Sequence, residues 1–76
     1  MKRLIRYKCM IENYLADAKG SFEIRYAEIT AETKAEAMRM ASTSVENFKR
    51  CKIGQSVIAD PDAFKGVQWL MNYREV

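Results

Sequence analysis

Histidine is missing from this chain altogether. That removes histidine-based triads, histidine metal clusters and the usual proton shuttle near neutral pH. Only two cysteines are present, Cys9 and Cys51. A tetrahedral zinc site needs four ligands, which one chain of this composition does not supply. A secreted domain this short normally carries several disulfides. Both thiols are therefore read as reduced, which places the expected compartment in the cytosol. The three glycines are scattered, so no glycine-rich loop exists to cradle phosphate. No apolar run approaches membrane-spanning length. The opening MKRLIRYKCMIENY brings charge after two apolar residues and lacks the core of a signal peptide. Composition points away from an enzyme and away from a membrane, and no cofactor motif is visible.

What is present suits one small globular domain spanning residues 1–76. Hydrophobic residues make up 49% and charged residues 30%, too apolar a mixture for a disordered chain. Thirteen lysines and arginines face ten acids, giving a net charge of +3. Residues 4–12 alternate, with Ile5, Tyr7, Cys9 and Ile11 on one face and Leu4, Arg6, Lys8 and Met10 on the other. A period of two predicts a half-buried strand. Residues 13–21 read as a connection with turn chemistry. Phe22, Ile24 and Tyr26 then alternate with Glu23, Arg25 and Ala27 in a second strand, its large apolar residues toward the core.

Thr33 and Glu36 stand as T-x-x-E, a capping box. The helix that follows sets Ala37, Met38, Ala41, Val45 and Phe48 on one stripe, with Met40 beside it. Lys49 and Arg50 then suit its carboxyl end, and Gly54 its stop. Residues 56–59 predict a short third strand. Asp60-Pro61-Asp62 forms a turn, with Phe64 tucked in. Val67, Trp69, Met71 and Tyr73 alternate with Gln68, Leu70, Asn72 and Arg74 in a fourth strand. The expected fold class is α+β: an antiparallel four-stranded sheet in β-β-α-β-β order with one helix packed on one face.

Candidate chemistry is sparse. Asp60 and Asp62 fit a turn better than a divalent-cation cage, which needs more oxygen ligands. Cys9 reads as a core thiol. Cys51, between Arg50 and Lys52, has neighbours that lower a thiol pKa. The basic residues form two clusters, Lys2, Arg3, Arg6 and Lys8, then Lys49, Arg50 and Lys52, with Arg25 placed near Arg6 and Lys8. They read either as a solvated surface or as a phosphate-gripping face. Tyr7, Tyr26 and Trp69 follow the core phase, which takes them away from base stacking. Leu4, Met10 and Leu70 fall on the opposite, wet face, where three apolar residues inside a cationic rim suggest a protein contact.

The segment ITAETKAEAMRMAS, the β-β-α-β-β order and the basic start together resemble the small phage-encoded type I-F anti-CRISPR inhibitors. The resemblance implies a non-enzymatic inhibitor in the bacterial host cytoplasm. Its partner would be a protein subunit of the crRNA-guided CRISPR-Cas surveillance complex, obstructed in pairing with target DNA. Arg39 carries over first as a contact residue, with Tyr7 and Lys8 matched more loosely. Met38 stands where the family has a second cation. The partner-binding set expected from charge and resemblance together is Arg39, Lys49, Arg50, Lys52, Arg6, Lys8, Arg25 and Tyr7. Two other readings stand beside it: a small protein that binds nucleic acid, specifically or not, on the outer sheet face, and a homo-oligomeric module joined through edge strands.

Overall fold

The computed structural model describes residues 3–16 and 20–70. Four strands and one helix follow in the order β1 (Ile5–Tyr14), β2 (Phe22–Ala31), α1 (Lys34–Ser44), β3 (Phe48–Ile58) and β4 (Gly66–Trp69). The strands form one antiparallel sheet in the order β3-β1-β2-β4. The helix lies across one side and touches all four. This is the α+β architecture that the alternation and the capping box predict. The expected continuation of β4 through Met71, Tyr73 and Arg74 lies outside the described residues.

β1 behaves as read: Tyr7, Cys9 and Ile11 are buried under the helix. β2 does not. Its register pairs Cys9 with Ala27, Tyr7 with Ile29 and Ile5 with Ala31. Directly opposed residues of a ladder share a face, so the buried side of β2 carries Ala27, Ile29 and Ala31. Phe22, Ile24 and Tyr26 are turned to the side without a helix. The reason is volume. Ala27 and Ala31 on the sheet and Ala37 and Ala41 on the helix are all fully buried. Four alanines let the helix approach closely, where Phe22 or Tyr26 would hold it away. Ile29 and Ile11 supply the large side chains of that interior.

The helix starts where the capping box predicts. The Glu36 amide donates to Thr33 Oγ1 at 3.0 Å, and the Glu32 amide donates to Glu36 Oε1 at 2.8 Å. It ends sooner than its apolar stripe. Ser42, Thr43 and Ser44 donate their hydroxyls to the carbonyls of Arg39, Met40 and Ala41, a competition that weakens helical turns. Val45 is already extended, and Asn47 reverses the chain at φ 57°, a left-handed backbone that asparagine tolerates better than most residues. Phe48, Lys49 and Arg50 consequently open an eleven-residue β3 rather than closing a helix. The predicted short strand at 56–59 is only the far end of it, and Gly54 lies within it. Met38 is exposed, and Met40 packs against the core instead.

The Asp60–Ala63 turn forms as expected, with the Ala63 amide donating to the Asp60 carbonyl at 3.0 Å. Phe64 does not tuck in; it is 90% exposed.

Candidate functional site

All four strands contribute to the side of the sheet without a helix. Registers give its rows. Val57, Arg6 and Thr30 align across β3, β1 and β2. Lys8 and Glu28 stand opposite each other, followed by Gln68 of β4. Lys52, Met10 and Tyr26 make the next row, and Arg50, Glu12 and Ile24 the one after. Tyr14 and Phe22 close the end. Tyr14, Phe22 and Ile24 expose 44%, 43% and 47% of their surface, and Tyr26 is half-buried. Cations and aromatics thus interleave on one face.

Two bulges in β3 shape it. Between the pairs Tyr7–Ser56 and Cys9–Ile53, β3 has one residue more than β1. Gly54 and Gln55 together oppose Lys8, and a Cβ on Gly54 would lie 3.6 Å from the Lys8 carbonyl oxygen. An extra residue bends the strand and disrupts the ladder locally. A groove of about 620 Å³ opens there, lined among others by Lys8, Met10, Tyr26, Lys52, Gly54 and Gln55.

The second bulge lies between Glu12–Arg50 and Asn13–Phe48 and makes Lys49 the extra residue. It brings two neighbouring cations onto one carboxylate. Lys49 Nζ donates to Glu12 Oε1 at 3.1 Å, and Arg50 Nε donates to Glu12 Oε2 at 2.8 Å. Lys49 also sits 4.5 Å from the centre of the Phe22 ring, a cation–π distance. Glu12 is 1% exposed. The Arg50 hydrogen bond, then the Lys49 one, hold its carboxyl below the usual glutamate range against the opposing effect of burial. No sequence signal marked Glu12, because the cations that cover it come from a strand read as helix.

The predicted contact residues therefore divide. Arg6, Lys8 and Lys52 reach the helix-free face. Lys49 and Arg50 do so as well, with Glu12 between them. Arg25 is not their neighbour. It stands opposite Ile11 on the helix side, its guanidinium 4.1 Å from the Trp69 ring centre. Tyr7 is buried in the core and presents no surface to a partner. Arg39 projects from the helix on the other side of the molecule, its side chain 72% exposed and 3.8 Å from Glu36. There Lys65 joins Glu36 at 2.9 Å and Glu32 at 3.7 Å. Those contacts raise the Lys65 pKa, while the Glu32 amide and then Lys65 lower that of Glu36.

Phe22, Ile24 and Tyr26 are the residues of β2 that the alternation misassigned, and all three belong to this face. Leu70 joins the same end of it, its amide donating to the Tyr26 carbonyl at 2.9 Å. Among the described residues no three His, Cys, Asp or Glu side chains gather in a metal-binding group, and no helix is long and apolar enough to cross a membrane. Comparison with protein-family models, curated proteins and solved structures returns no match.

Proposed function

We propose that this protein is a non-enzymatic binding protein whose helix-free sheet face grips single-stranded nucleic acid. The observation that carries the reading is the interleaving on that face of Tyr14, Phe22 and Tyr26 with Arg6, Lys8, Lys49, Arg50 and Lys52. Cations displace the counterions condensed on a phosphate chain. Flat aromatic rings stack unpaired bases whatever their sequence. A sheet face of this kind suits splayed single-stranded bases, whereas a duplex hides its bases from flat platforms. The Gly54–Gln55 groove beside Tyr26 gives one base a recess, with Lys8 and Lys52 at its lining for the flanking phosphates. Five cations face two carboxylates, Glu12 and Glu28, so the face stays positive after internal pairing.

The test is fluorescence anisotropy with labelled single-stranded RNA and DNA, and with the matching duplex, at low and high salt. The expected result is salt-sensitive binding of single strands, weakened by Tyr26→Ala and by Lys8→Gln with Lys52→Gln. Absence of binding at low salt removes the proposal.

A second reading follows the anti-CRISPR resemblance, in which the protein inhibits a crRNA-guided surveillance complex by contacting one of its subunits. The exposure of Arg39 on the helix, away from the sheet face, supports it. Arg39→Glu would then abolish co-purification with such a complex while single-strand binding persists. Pairing of copies through β3 has less support, since two bulges and three cations on an edge strand deter it.

A further inference from the structure

Cys9 and Cys51 are far apart in the chain and adjacent in space. Cys51 stands opposite Ile11 and Cys9 opposite Ile53, so the cysteines are diagonal neighbours across the β1–β3 ladder. Both side chains are on the helix side, 2% and 9% exposed, in the same hydrophobic cluster. Both are free thiols, and each shifts the acidity of the other. Cys9 Sγ also lies 3.5 Å from the Tyr7 carbonyl oxygen, which its proton can reach. Two thiols packed on neighbouring strands with no other chemistry around them have one reaction available together, which is to join.

We propose that Cys9 and Cys51 are an oxidisable pair that closes into an intramolecular disulfide, with a low-molecular-weight disulfide such as glutathione disulfide as the oxidant. Cys51 is the entry point, because it lies on the edge strand β3 while Cys9 lies on the inner strand β1. The acidities agree with this order: the nearness of Cys9 favours the Cys51 thiolate and lowers that pKa, while Cys51 and burial raise that of Cys9. The flanking Arg50 and Lys52 are not what lowers it. Cys51 loses its proton to solvent, and the thiolate attacks one sulfur of glutathione disulfide. The sulfur–sulfur bond breaks, and one glutathione leaves as thiolate and takes a proton from solvent. Cys9 then attacks the Cys51 sulfur of the mixed disulfide, and its proton passes to the second departing glutathione. Two protein thiols are oxidised, and one glutathione disulfide is reduced to two glutathione thiols.

The bond would staple the edge strand to the inner strand and close a long loop containing β2 and the helix. Loop closure of that length predicts a melting temperature higher by on the order of 10 °C or more in the oxidised protein. The inference stands independently of nucleic-acid binding.

The experiment equilibrates the folded, full-length protein in glutathione buffers of increasing oxidised fraction, followed by intact mass, thiol titration and thermal melting. The expected product is a monomer lighter by two hydrogens, free of glutathione, with a raised melting temperature that dithiothreitol reverses. Cys9→Ser is expected to trap a glutathione adduct on Cys51, and Cys51→Ser to leave Cys9 unmodified. Folding of both variants is checked by circular dichroism, and the wild-type mass decides the matter if either fails to fold. Retention of both thiols at the most oxidising ratio, a disulfide formed only between chains, or one formed only in urea overturns the proposal.

Discussion

Two tyrosines of similar standing in the sequence are set to opposite tasks by the fold, and replacing each by alanine tests the assignment of faces. Tyr7 is buried with Cys9, Ile11 and Ile29 under the helix. Truncating a buried aromatic removes its transfer free energy and leaves a cavity, at a cost of about 3–5 kcal/mol. A chain of 76 residues has a total stability on the order of 4–11 kcal/mol. Tyr7→Ala therefore consumes a large share of it. The melting temperature is expected to fall by on the order of 12 °C or more, or the variant is unfolded outright. Tyr26 is half-buried opposite Met10 on the other face. Tyr26→Ala is expected to cost stability only about 1 kcal/mol. Losing one stacking platform weakens single-strand binding by about 1–3 kcal/mol, or about 5- to 150-fold. Urea and thermal melts by circular dichroism measure the first quantity, and fluorescence anisotropy the second. If Tyr26→Ala unfolds the protein as Tyr7→Ala does, the assignment of faces is wrong. If it leaves affinity unchanged, the face is not a stacking surface.

Other expectations follow from the same geometry. Counterion release makes log K fall linearly with log salt, and Lys8→Gln with Lys52→Gln is expected to make that slope shallower by about 1; an unaltered slope places the phosphate contacts elsewhere. Glu12 and Glu36 have depressed carboxyl pKa values, so their contribution to stability is complete above the ordinary glutamate range. It is lost as pH falls through their folded values. Glu12→Gln should accordingly lower stability at neutral pH and flatten the acid limb of an unfolding profile; an acid limb as steep as wild type would show that Glu12 does not drive it. Lys65 works in the opposite direction. Its raised pKa contributes stability below the ordinary lysine range, lost as pH rises through the folded value, and Lys65→Met should reduce the alkaline dependence seen in melts. Thr33→Ala removes the acceptor of the Glu36 amide and is expected to cost about 1 kcal/mol in a urea titration; a change within error would mean the box contributes little.

The parts of this molecule that could be read before folding are those decided by neighbouring residues. The alternation of β1, its buried face, the Thr33 cap and the Asp60 turn each depend on a few consecutive residues and stand in the structure, although β1 runs on through Asn13 and Tyr14, which read as part of the connection. The helix boundary failed because the apolar spacing of Val45 and Phe48 continues past the point where Ser42, Thr43 and Ser44 draw the backbone carbonyls to their hydroxyls. Arg39, Arg6, Lys8 and Lys52 were visible as candidate contact cations, but their division between two sides of the molecule was not. Glu12 carried no signal in the sequence, because Lys49 and Arg50 reach it only once β3 pairs with β1.

The order of residues alone settled that β1 and β2 each have two unlike faces, because side chains alternate along any extended chain. It did not settle which face of β2 meets the helix. Hydrophobicity favoured Phe22, Ile24 and Tyr26, whereas close packing against Ala37 and Ala41 required Ala27, Ile29 and Ala31. That choice depends on the volume left between elements distant in sequence, and it moved aromatic rings out among the cations. The contact between Cys9 and Cys51 has the same origin, since a register between nonadjacent strands exists only once the sheet has formed.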